Sequence, residues 1–579
     1  MNNIVNRILA PLEDENSRVV LAWILVFAAV LIFAGIGLRS PWPPDEPRFA
    51  DVAREMVDTG QWFFPARGAE FYPDKPPVFM WSIAFFYWLT GSISVAALLP
   101  NALCSLVVLI AVFDLGKRLW NLNVGRNAAL LLLVTPQFLI QAKFAQIDAM
   151  VACWITLGCY GLIRHFFAGP HWRWYFAAWG FMGLGIITKG VGFLPIFMLI
   201  PIALYYFFAS RLPGTFRWRS FAGVLVMLAV IACWLVPMLL IVYSQNTAEL
   251  VAYKNNILFK QTGKRYADSW AHVKPWYYMW TSVAPWFWLP ASLCVLGRFK
   301  SVWQQCKADK RIAVLLGWVL LVIVFFSTTP GKRGVYILPA LPMFALAVAA
   351  IWDKVKASAI ERRIVIGINW IMLGVFTLLA VLAWMQHPKL MDVLDNYTER
   401  DAVLQHLALM LSVIVALMLV LQWTLRKHGA FTRYAGQVAV IAVIISFWAY
   451  PIMEPLRTPK NVMQEATRAV DGGELGIIEM KEQYLLFSPI PVTHFSYFRE
   501  SDEQFRSAWQ WIHEQPNRFI MAPTNVEFTC FSGAGAKDLG IAHREEWKLL
   551  GIEQADATCQ APSQHKVYVS PPNEHIEAR

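Results

Sequence analysis

The sequence predicts an α-helical polytopic membrane protein that carries a small α/β domain after its last membrane span. Of its 579 residues, 57% are hydrophobic and 15% are charged, and the mean hydropathy is +0.45. Soluble proteins carry about 25% charged residues. Apolar runs recur up to residue 452, and many approach the roughly 20 residues that a helix needs to cross a bilayer. Residues 454–579 are instead polar and mixed, as expected for a separate domain.

The apolar runs predict thirteen spans. They cover 18–38, 93–113, 124–142, 147–168, 173–188, 190–209, 220–243, 276–297, 311–328, 333–351, 363–385, 402–424 and 434–452. A cleavable signal peptide is not expected, because the first run is too long for one and no small-residue cleavage site precedes the polar loop that follows.

Two further helices are predicted beside the spans. The segment from Pro77 to Thr90 is apolar but short, and Gly91 ends it, which favours a helix at the membrane interface. Residues Phe49 to Asp58 alternate apolar and charged side chains at helical spacing. This pattern predicts an amphipathic helix that lies flat on the membrane surface.

The orientation follows from the distribution of basic residues. Every second loop is rich in Lys and Arg, and this bias marks the cytoplasmic face of membrane proteins. An odd number of spans then places the N-terminus inside the cell, and it places the loops 39–92 and 244–275 and the tail outside. The expected division is a membrane domain over 1–453 and an outer domain over 454–579. We attribute the net charge of +11 to the cytoplasmic loops and not to nucleic-acid binding.

The tail predicts a small α/β domain. Strands are expected at Leu475 to Met480, Tyr484 to Phe487, Arg518 to Met521 and Lys566 to Val569, and a helix at Ser501 to Glu514. Ser501 and Gln504 have the spacing of a capping box for that helix. Cys530 and Cys559 are predicted to form a disulfide, since the tail is expected in an oxidising compartment.

The first outer loop, 39–77, has charged residues between prolines at both of its ends. Asp45 and Glu46 lie near its start, and Asp74 and Lys75 lie near its end. Proline fixes its own φ and restricts the residue before it, so both pairs are expected to be held stiffly at the membrane edge. Two interpretations stay open at this point, a solvated loop with proline turns and an active site.

Other charges lie at the outer ends of spans, and we place none in the middle of a span. They are Lys143, Asp148, Lys189, Lys332 and Arg333. Transporters usually keep ionisable residues at mid-membrane, so this distribution argues against transport. Lys332 and Arg333 break the positive-inside pattern. An anionic ligand would explain them, and a tight turn whose side chains reach the headgroups is the alternative.

The loop 244–275 is also basic and includes Arg265. Together with the carboxylates of the first loop, these cations predict an outward-facing site at the membrane surface. A lipid-linked sugar phosphate has the matching chemistry, because it carries a phosphate at the bilayer boundary and a polar head.

Six short motifs stand along residues 18–450: Asp45-Glu46-Pro47-Arg48-Phe49-Ala50, Tyr72-Pro73-Asp74-Lys75-Pro76-Pro77, Gln146-Ile147-Asp148-Ala149, Ile187-Thr188-Lys189-Gly190, Lys274-Pro275-Trp276-Tyr277-Tyr278, and Gly331-Lys332-Arg333 followed by Tyr336, Pro339 and Pro342. They resemble the motifs of the bacterial 4-amino-4-deoxy-L-arabinose lipid A transferases. Those enzymes belong with the protein O-mannosyltransferases to the GT-C class of membrane glycosyltransferases. The resemblance implies transfer of a sugar from undecaprenyl phosphate to an acceptor, lipid A first, at the outer face of the bacterial inner membrane.

The resemblance also implies roles for individual residues. Asp45, Asp148 and Lys75 are expected to be catalytic, with Asp45 as the base if the acceptor is a hydroxyl. The residues expected to bind the substrates are Glu46, Asp74, Lys189, Arg265, Lys332, Arg333 and Tyr336. A divalent metal of unspecified identity on Asp74 and Asp148 is left open.

The sequence leaves two alternatives to this function open. The first is transfer of another polyprenyl-linked sugar to protein or to a glycan, because the motifs are shared across the superfamily. The second is a lipid transporter, which would predict charges at mid-bilayer and repeated halves. We find neither in the sequence.

Overall fold

The computed structural model describes residues 2–209, 216–264, 272–355, 358–394, 400–562 and 564–573. Among them, eight helices are long and apolar enough to cross a membrane: Ile93–Leu119, Ile147–Ala168, Trp218–Gln245, Lys310–Thr328, Gly334–Lys354, Ala359–Trp384, Arg400–Thr424 and Ala430–Arg457. Each coincides with one of the predicted spans. The chain is a multi-pass membrane protein.

The other five predicted spans are shorter, less apolar or broken helices, so a count of thirteen is not confirmed. Four of them correspond to Ser17–Phe33, Leu122–Leu133 with Pro136–Ala142, Trp172–Lys189, and Leu194–Phe208. The fifth, 276–297, is divided into Met279–Val283, Ala284–Phe287 and Ala291–Leu296. Pro285 and Pro290 lie in this stretch, and proline removes a donor that a continuous helix needs.

The helix Gly334–Lys354 lies at the centre of the membrane part, because 89% of the residues in its most apolar stretch are buried. The helix Trp218–Gln245 lies at the periphery, where the same share is 11%. Small residues allow close packing between helices. Gly116 and Gly125 show this, because a Cβ on Gly116 would lie 2.6 Å from the Cα of Gly125. The helices Leu99–Leu119 and Leu122–Leu133 therefore meet backbone to backbone.

The first loop is folded and buried, which corrects one prediction. The predicted amphipathic segment forms the helix Glu46–Thr59, but most of its residues are buried on all sides. Phe49 packs on Phe79 of the helix Val78–Thr90, with ring centroids 5.0 Å apart. On its other side, Arg54 donates to the carbonyls of Pro571 and Pro572 at 3.1 and 3.2 Å. The helix is thus enclosed by protein and does not lie on a lipid surface. The other predicted helix, Pro77 to Thr90, begins at Val78 and ends at Gly91 in the left-handed conformation.

Strands β1 (Ala66–Arg67) and β2 (Glu70–Phe71) form an antiparallel hairpin within this loop. The remaining six strands form one sheet in the C-terminal domain: β3 Glu474–Ile477, β4 Val492–His494, β5 Arg518–Pro523, β6 Lys537–Ala542, β7 Glu545–Leu550 and β8 Tyr568–Ser570. The strand order is β6-β7-β5-β3-β4-β8. β3 is parallel to β4 and β5, and the other pairs are antiparallel.

Four of the tail predictions are confirmed in outline, because β3, β5, β8 and the helix Ser501–Glu514 lie where they were expected. The predicted strand Tyr484 to Phe487 is wrong, since this stretch belongs to the helix Glu482–Leu486. The capping box does not form. Gln504 accepts from the Glu479 backbone at 3.0 Å and donates to the Arg499 carbonyl at 2.8 Å.

The predicted disulfide is present. Cys530 and Cys559 are bonded, with their Cα atoms 5.3 Å apart. Their bond joins the segment after β5 to the segment before β8, and it lies beside the aromatic core around Phe528 and Phe531.

Candidate active site

The adjacent acids Asp45 and Glu46 have different surroundings. Asp45 directly precedes the helix Glu46–Thr59, and its Oδ2 accepts from the Arg333 guanidinium at 2.7 Å and from Gln146 Nε2 at 3.3 Å. The side chains of Asp45 and Arg333 keep 19% and 33% of their surface exposed. This pair is therefore open to a ligand that arrives from solvent.

Glu46 is buried and fully engaged. Its carboxylate forms an ion pair with Arg39 and accepts from the backbone N–H groups of Trp42 and Ala145, each at 2.8 Å. Arg39 also donates to the Lys143 carbonyl at 3.1 Å. Glu46 thus ties the first loop to the segment after Pro136–Ala142, and this placement favours a structural role over the predicted substrate contact.

A second ion pair lies beside the first. Lys189, at the end of the helix Trp172–Lys189, bonds to Asp148, in the first turn of Ile147–Ala168. The Lys189 ammonium lies 4.7 Å from the centre of the Tyr336 ring. Arg333 interacts electrostatically with Asp45, Asp148 and Tyr336, so the two pairs form one cluster. Four separate segments of the chain contribute to it.

Lys332 points away from this cluster. Its ammonium donates to the carbonyl of Lys274 at 2.9 Å and to the carbonyl of Thr329. The side chain is buried, and burial lowers the pKa of Lys332. Backbone bonds from Lys332 to His272 and from Lys274 to Pro330 join the same two segments. Lys332 therefore fastens the segment that contains His272 and Lys274 to the start of Gly334–Lys354, which favours a structural role over the predicted phosphate contact.

Asp74 and Lys75 lie at the end of the folded first loop. Asp74 Oδ1 accepts from Gln261 Nε2 at 2.9 Å, and the Lys75 ammonium donates to the Asp74 carbonyl at 3.1 Å. Val78 follows and packs on an apolar cluster that includes Ile187, two residues before Lys189. This contact brings the segment to the same end of the helix Trp172–Lys189. Arg265 lies outside the described residues.

The two carboxylates considered for a divalent metal, Asp74 and Asp148, each have another partner in the structure. Such metals take six or more oxygen ligands, but Asp148 is paired with Lys189 and Asp74 accepts from an amide. Within the described residues, no group of three or more His, Cys, Asp or Glu side chains is placed to hold a metal.

Sequence reasoning missed one residue that shapes the site. Asn101 donates to the carbonyls of Phe144 and Gln146 at 2.6 and 2.7 Å. It thereby fixes the turn that carries Gln146 to Asp45 and leads into Asp148. The signal was available, because an asparagine in the apolar run 93–113 is a polar residue where hydrocarbon is expected.

Comparison with solved structures defines the class of the fold. The chain superposes on the crystal structure of ArnT from Cupriavidus metallidurans bound to undecaprenyl phosphate with a TM-score of 0.68 at 19% identity, covering 93% of this chain and 99% of that one. The apo state of the same protein gives 0.65 at 20% identity, with the same coverage. The family described as dolichyl-phosphate-mannose-protein mannosyltransferase matches residues 74–239. The fold is that of the GT-C class of membrane glycosyltransferases.

The relatives found by sequence comparison share one protein name. The undecaprenyl phosphate-alpha-4-amino-4-deoxy-L-arabinose arabinosyl transferase of Pectobacterium carotovorum is 29% identical over 373 residues, which is 62% of this chain and 63% of the relative. The protein of the same name from Pseudomonas savastanoi is 27% identical over 456 residues, 76% of this chain and 79% of the relative. The match thus spans somewhat less than two thirds of the first relative's length. The resemblance to aminoarabinose transferases is confirmed.

Proposed function

We propose that this protein is a glycosyltransferase that moves 4-amino-4-deoxy-L-arabinose from undecaprenyl phosphate to lipid A. The observation that carries the proposal is the cluster in which the partly exposed pair of Asp45 and Arg333 lies beside the pair of Asp148 and Lys189. The names of the relatives supply the sugar and the lipid carrier.

The sugar-transfer reaction needs both cationic and anionic side chains at the site. The bond from the sugar's anomeric carbon to the carrier phosphate oxygen breaks, and the phosphate leaves with additional negative charge. Cations placed where charge develops stabilise such a transition state, and Arg333, Lys189 and Lys75 are the residues that we assign to this task. The acceptor oxygen then bonds to the anomeric carbon.

The carboxylates have two tasks. An ammonium on the transferred sugar would pair with Asp45 or Asp148. A phosphate acceptor on lipid A is already anionic, so it needs little help from a base. If the acceptor is a hydroxyl, Asp45 takes its proton as the bond to the sugar forms.

We place the site at the outer face of the bacterial inner membrane, with the N-terminus in the cytoplasm and the C-terminal domain in the periplasm. The basic loops on alternate sides support this orientation. The disulfide supports an oxidising compartment for the C-terminal domain. Contacts such as Arg48 to Glu482 support a common side for that domain and the first loop.

Mass spectrometry of lipid A from cells with and without this protein tests the proposal. We expect an aminoarabinose adduct only when the protein is present, and we expect purified protein to make it from the undecaprenyl-phosphate-linked sugar. The family description favours one second candidate, transfer of a sugar to protein. Unmodified lipid A together with a newly glycosylated periplasmic protein would select that candidate. Lipid uptake into proteoliposomes without any sugar transfer would indicate a transporter.

A further inference from the structure

We propose that the C-terminal domain positions the segment from Tyr72 to Lys75, and that Glu482 is the positioning residue through which it acts. The inference rests on the proposed function, because Lys75 is there assigned to the carrier phosphate. It gives the C-terminal domain a part in the transfer reaction. The domain supplies none of the charges of the Asp45 cluster, which consists of Asp45, Arg333, Asp148 and Lys189.

Glu482 is a buried carboxylate between two arginines of the first loop. Its Oε1 lies 2.9 Å from Arg48 Nε and 2.6 Å from Arg67 Nε, and only 4% of its side chain is exposed. Arg48 belongs to the helix Glu46–Thr59 and Arg67 to β1, so one carboxylate joins two separate parts of the loop. Ion pairs with little solvent are screened little, and removing one partner leaves the others uncompensated.

The connection continues from Arg48 to the segment that ends in Lys75. Arg48 and Tyr72 interact electrostatically with each other, and both interact with Glu482. Tyr72 is buried and stands two residues before Asp74. Arg48 and Tyr72 belong to two of the sequence motifs, yet within the described residues neither is hydrogen-bonded to the Asp45 cluster. A role in holding the loop explains why an arginine and a tyrosine occupy these positions.

The C-terminal domain also holds the hairpin of β1 and β2 through a second group of residues. His494 bonds to the Gly68 carbonyl at 2.6 Å, Ser496 donates to Glu70 at 2.7 Å, and the Tyr497 hydroxyl donates to the Phe71 carbonyl at 2.7 Å. Gly68 has a φ of +61°, and a Cβ there would lie 2.8 Å from His494 Nε2. The hairpin is therefore fixed by several contacts directly before Tyr72.

A change at Glu482 should consequently loosen the end of the loop while the rest of the protein stays folded. We would compare Glu482→Gln, which keeps the shape and removes the charge, with Glu545→Gln. Glu545 forms an ion pair with Lys481 at 2.7 Å in the same domain, and within the described residues its ion pair does not involve the first loop. It is a control for the loss of a glutamate charge in this domain.

The experiment has two readouts on full-length protein. One is hydrogen–deuterium exchange of peptides that cover residues 62–77. The other is kcat and KM for transfer from the undecaprenyl-phosphate-linked aminoarabinose to lipid A. For Glu482→Gln we expect faster exchange in 62–77 and a loss of about ten- to a hundredfold in kcat/KM, the size expected when a reacting group is misplaced by about 1 Å. Glu545→Gln should change neither, and Glu482→Asp should restore part of both.

Unchanged exchange in residues 62–77 of Glu482→Gln would overturn the inference, as would equal effects in Glu545→Gln. If Glu482→Gln does not fold, Glu482→Asp carries the test, because it keeps the charge but draws it back from the arginines. If the wild-type protein transfers no sugar, the proposed function fails. The exchange measurement still decides in that case whether Glu482 holds the segment.

Discussion

The Asp45 carboxylate and the Arg333 guanidinium lie 2.7 Å apart, although 288 positions separate them in the chain. The pair joins the first loop to the start of the most deeply buried helix of the membrane part. Because each side chain neutralises the other, a phosphate that binds Arg333 would release Asp45 to act on the acceptor or on the sugar ammonium.

The first prediction concerns Asp45. Asp45→Asn should abolish transfer, because the amide can neither take a proton nor pair with a sugar ammonium. Membrane insertion and the apparent melting temperature should stay close to those of the wild type, since the pair is partly exposed and such pairs contribute about 1 kcal/mol or less. A transfer assay with purified protein checks this, and full activity of the variant would remove Asp45 from the mechanism.

The second prediction concerns Lys75. Lys75→Ala should abolish transfer while the protein still inserts, because the carrier phosphate loses a cation as it leaves. Lys389→Ala is the control, since Lys389 is exposed and lies on the same predicted face. The two variants should be compared by transfer rate and by the binding of undecaprenyl phosphate. Equal rates for both would contradict the role of Lys75.

The third prediction separates Glu46 from its neighbour. Glu46→Gln leaves the buried guanidinium of Arg39 without a counter-charge, a change that costs about 3–5 kcal/mol at buried ion pairs. We expect a lower apparent melting temperature and a lower yield of folded protein. Asp45→Asn, tested in parallel, should keep its stability and lose its activity. A stable Glu46→Gln protein that binds the donor poorly would instead return Glu46 to the substrate site.

The fourth prediction concerns pH and the contact of His494 with the hairpin. Burial, together with the nearby Arg67 charge, lowers the pKa of His494 to about 4 from its usual 6.5. Within the described residues, its Nδ1 has no hydrogen-bond partner. Between these two pKa values the unfolded chain binds the proton and the folded chain does not. The free energy of unfolding is therefore not reduced by His494 above pH 6.5. It decreases as the pH drops toward 4, by about 3 kcal/mol in all.

His494→Gln checks this prediction, because its amide can still donate to the Gly68 carbonyl but does not titrate. The apparent melting temperatures of both proteins should be measured from pH 7.5 to pH 4.5. The wild type should lose stability relative to the variant as the pH falls. A constant difference across this range would show that His494 does not titrate between the folded and unfolded states.

Much of the membrane fold was predictable from the sequence, because a long apolar run has few alternatives to a buried or lipid-facing helix. One span was predicted over 276–297, whereas the structure has shorter helices there. Hydropathy does not register the breaks that accompany the prolines of this stretch. The tail was harder. Tyr484 to Phe487 is a run of four apolar residues, and such a run is as consistent with a buried helical turn as with a strand. Strand β7 was missed since two glutamates and a lysine interrupt its apolar residues.

The charged residues of the site were also predictable, but their partners were not. Asp45 and Glu46 are neighbours with the same chemistry, and no local signal shows that one meets Arg333 and the other Arg39. Lys332 and Arg333 present the same difficulty. One reaches carbonyls and the other a carboxylate. These choices depend on how distant helices pack, and only the folded chain contains that information.

The contact between Arg48 and Glu482 spans 434 positions, and it has a consequence for biosynthesis. Ribosomes add about 5–20 residues per second, so the arginine is added to the chain some 20 to 90 s before its partner. During that time the hairpin and the helix after Asp45 lack the surfaces that cover them. Newly made chains should therefore pass through a long-lived, incompletely assembled stage, in which the first loop is open to proteases and folding factors until translation ends.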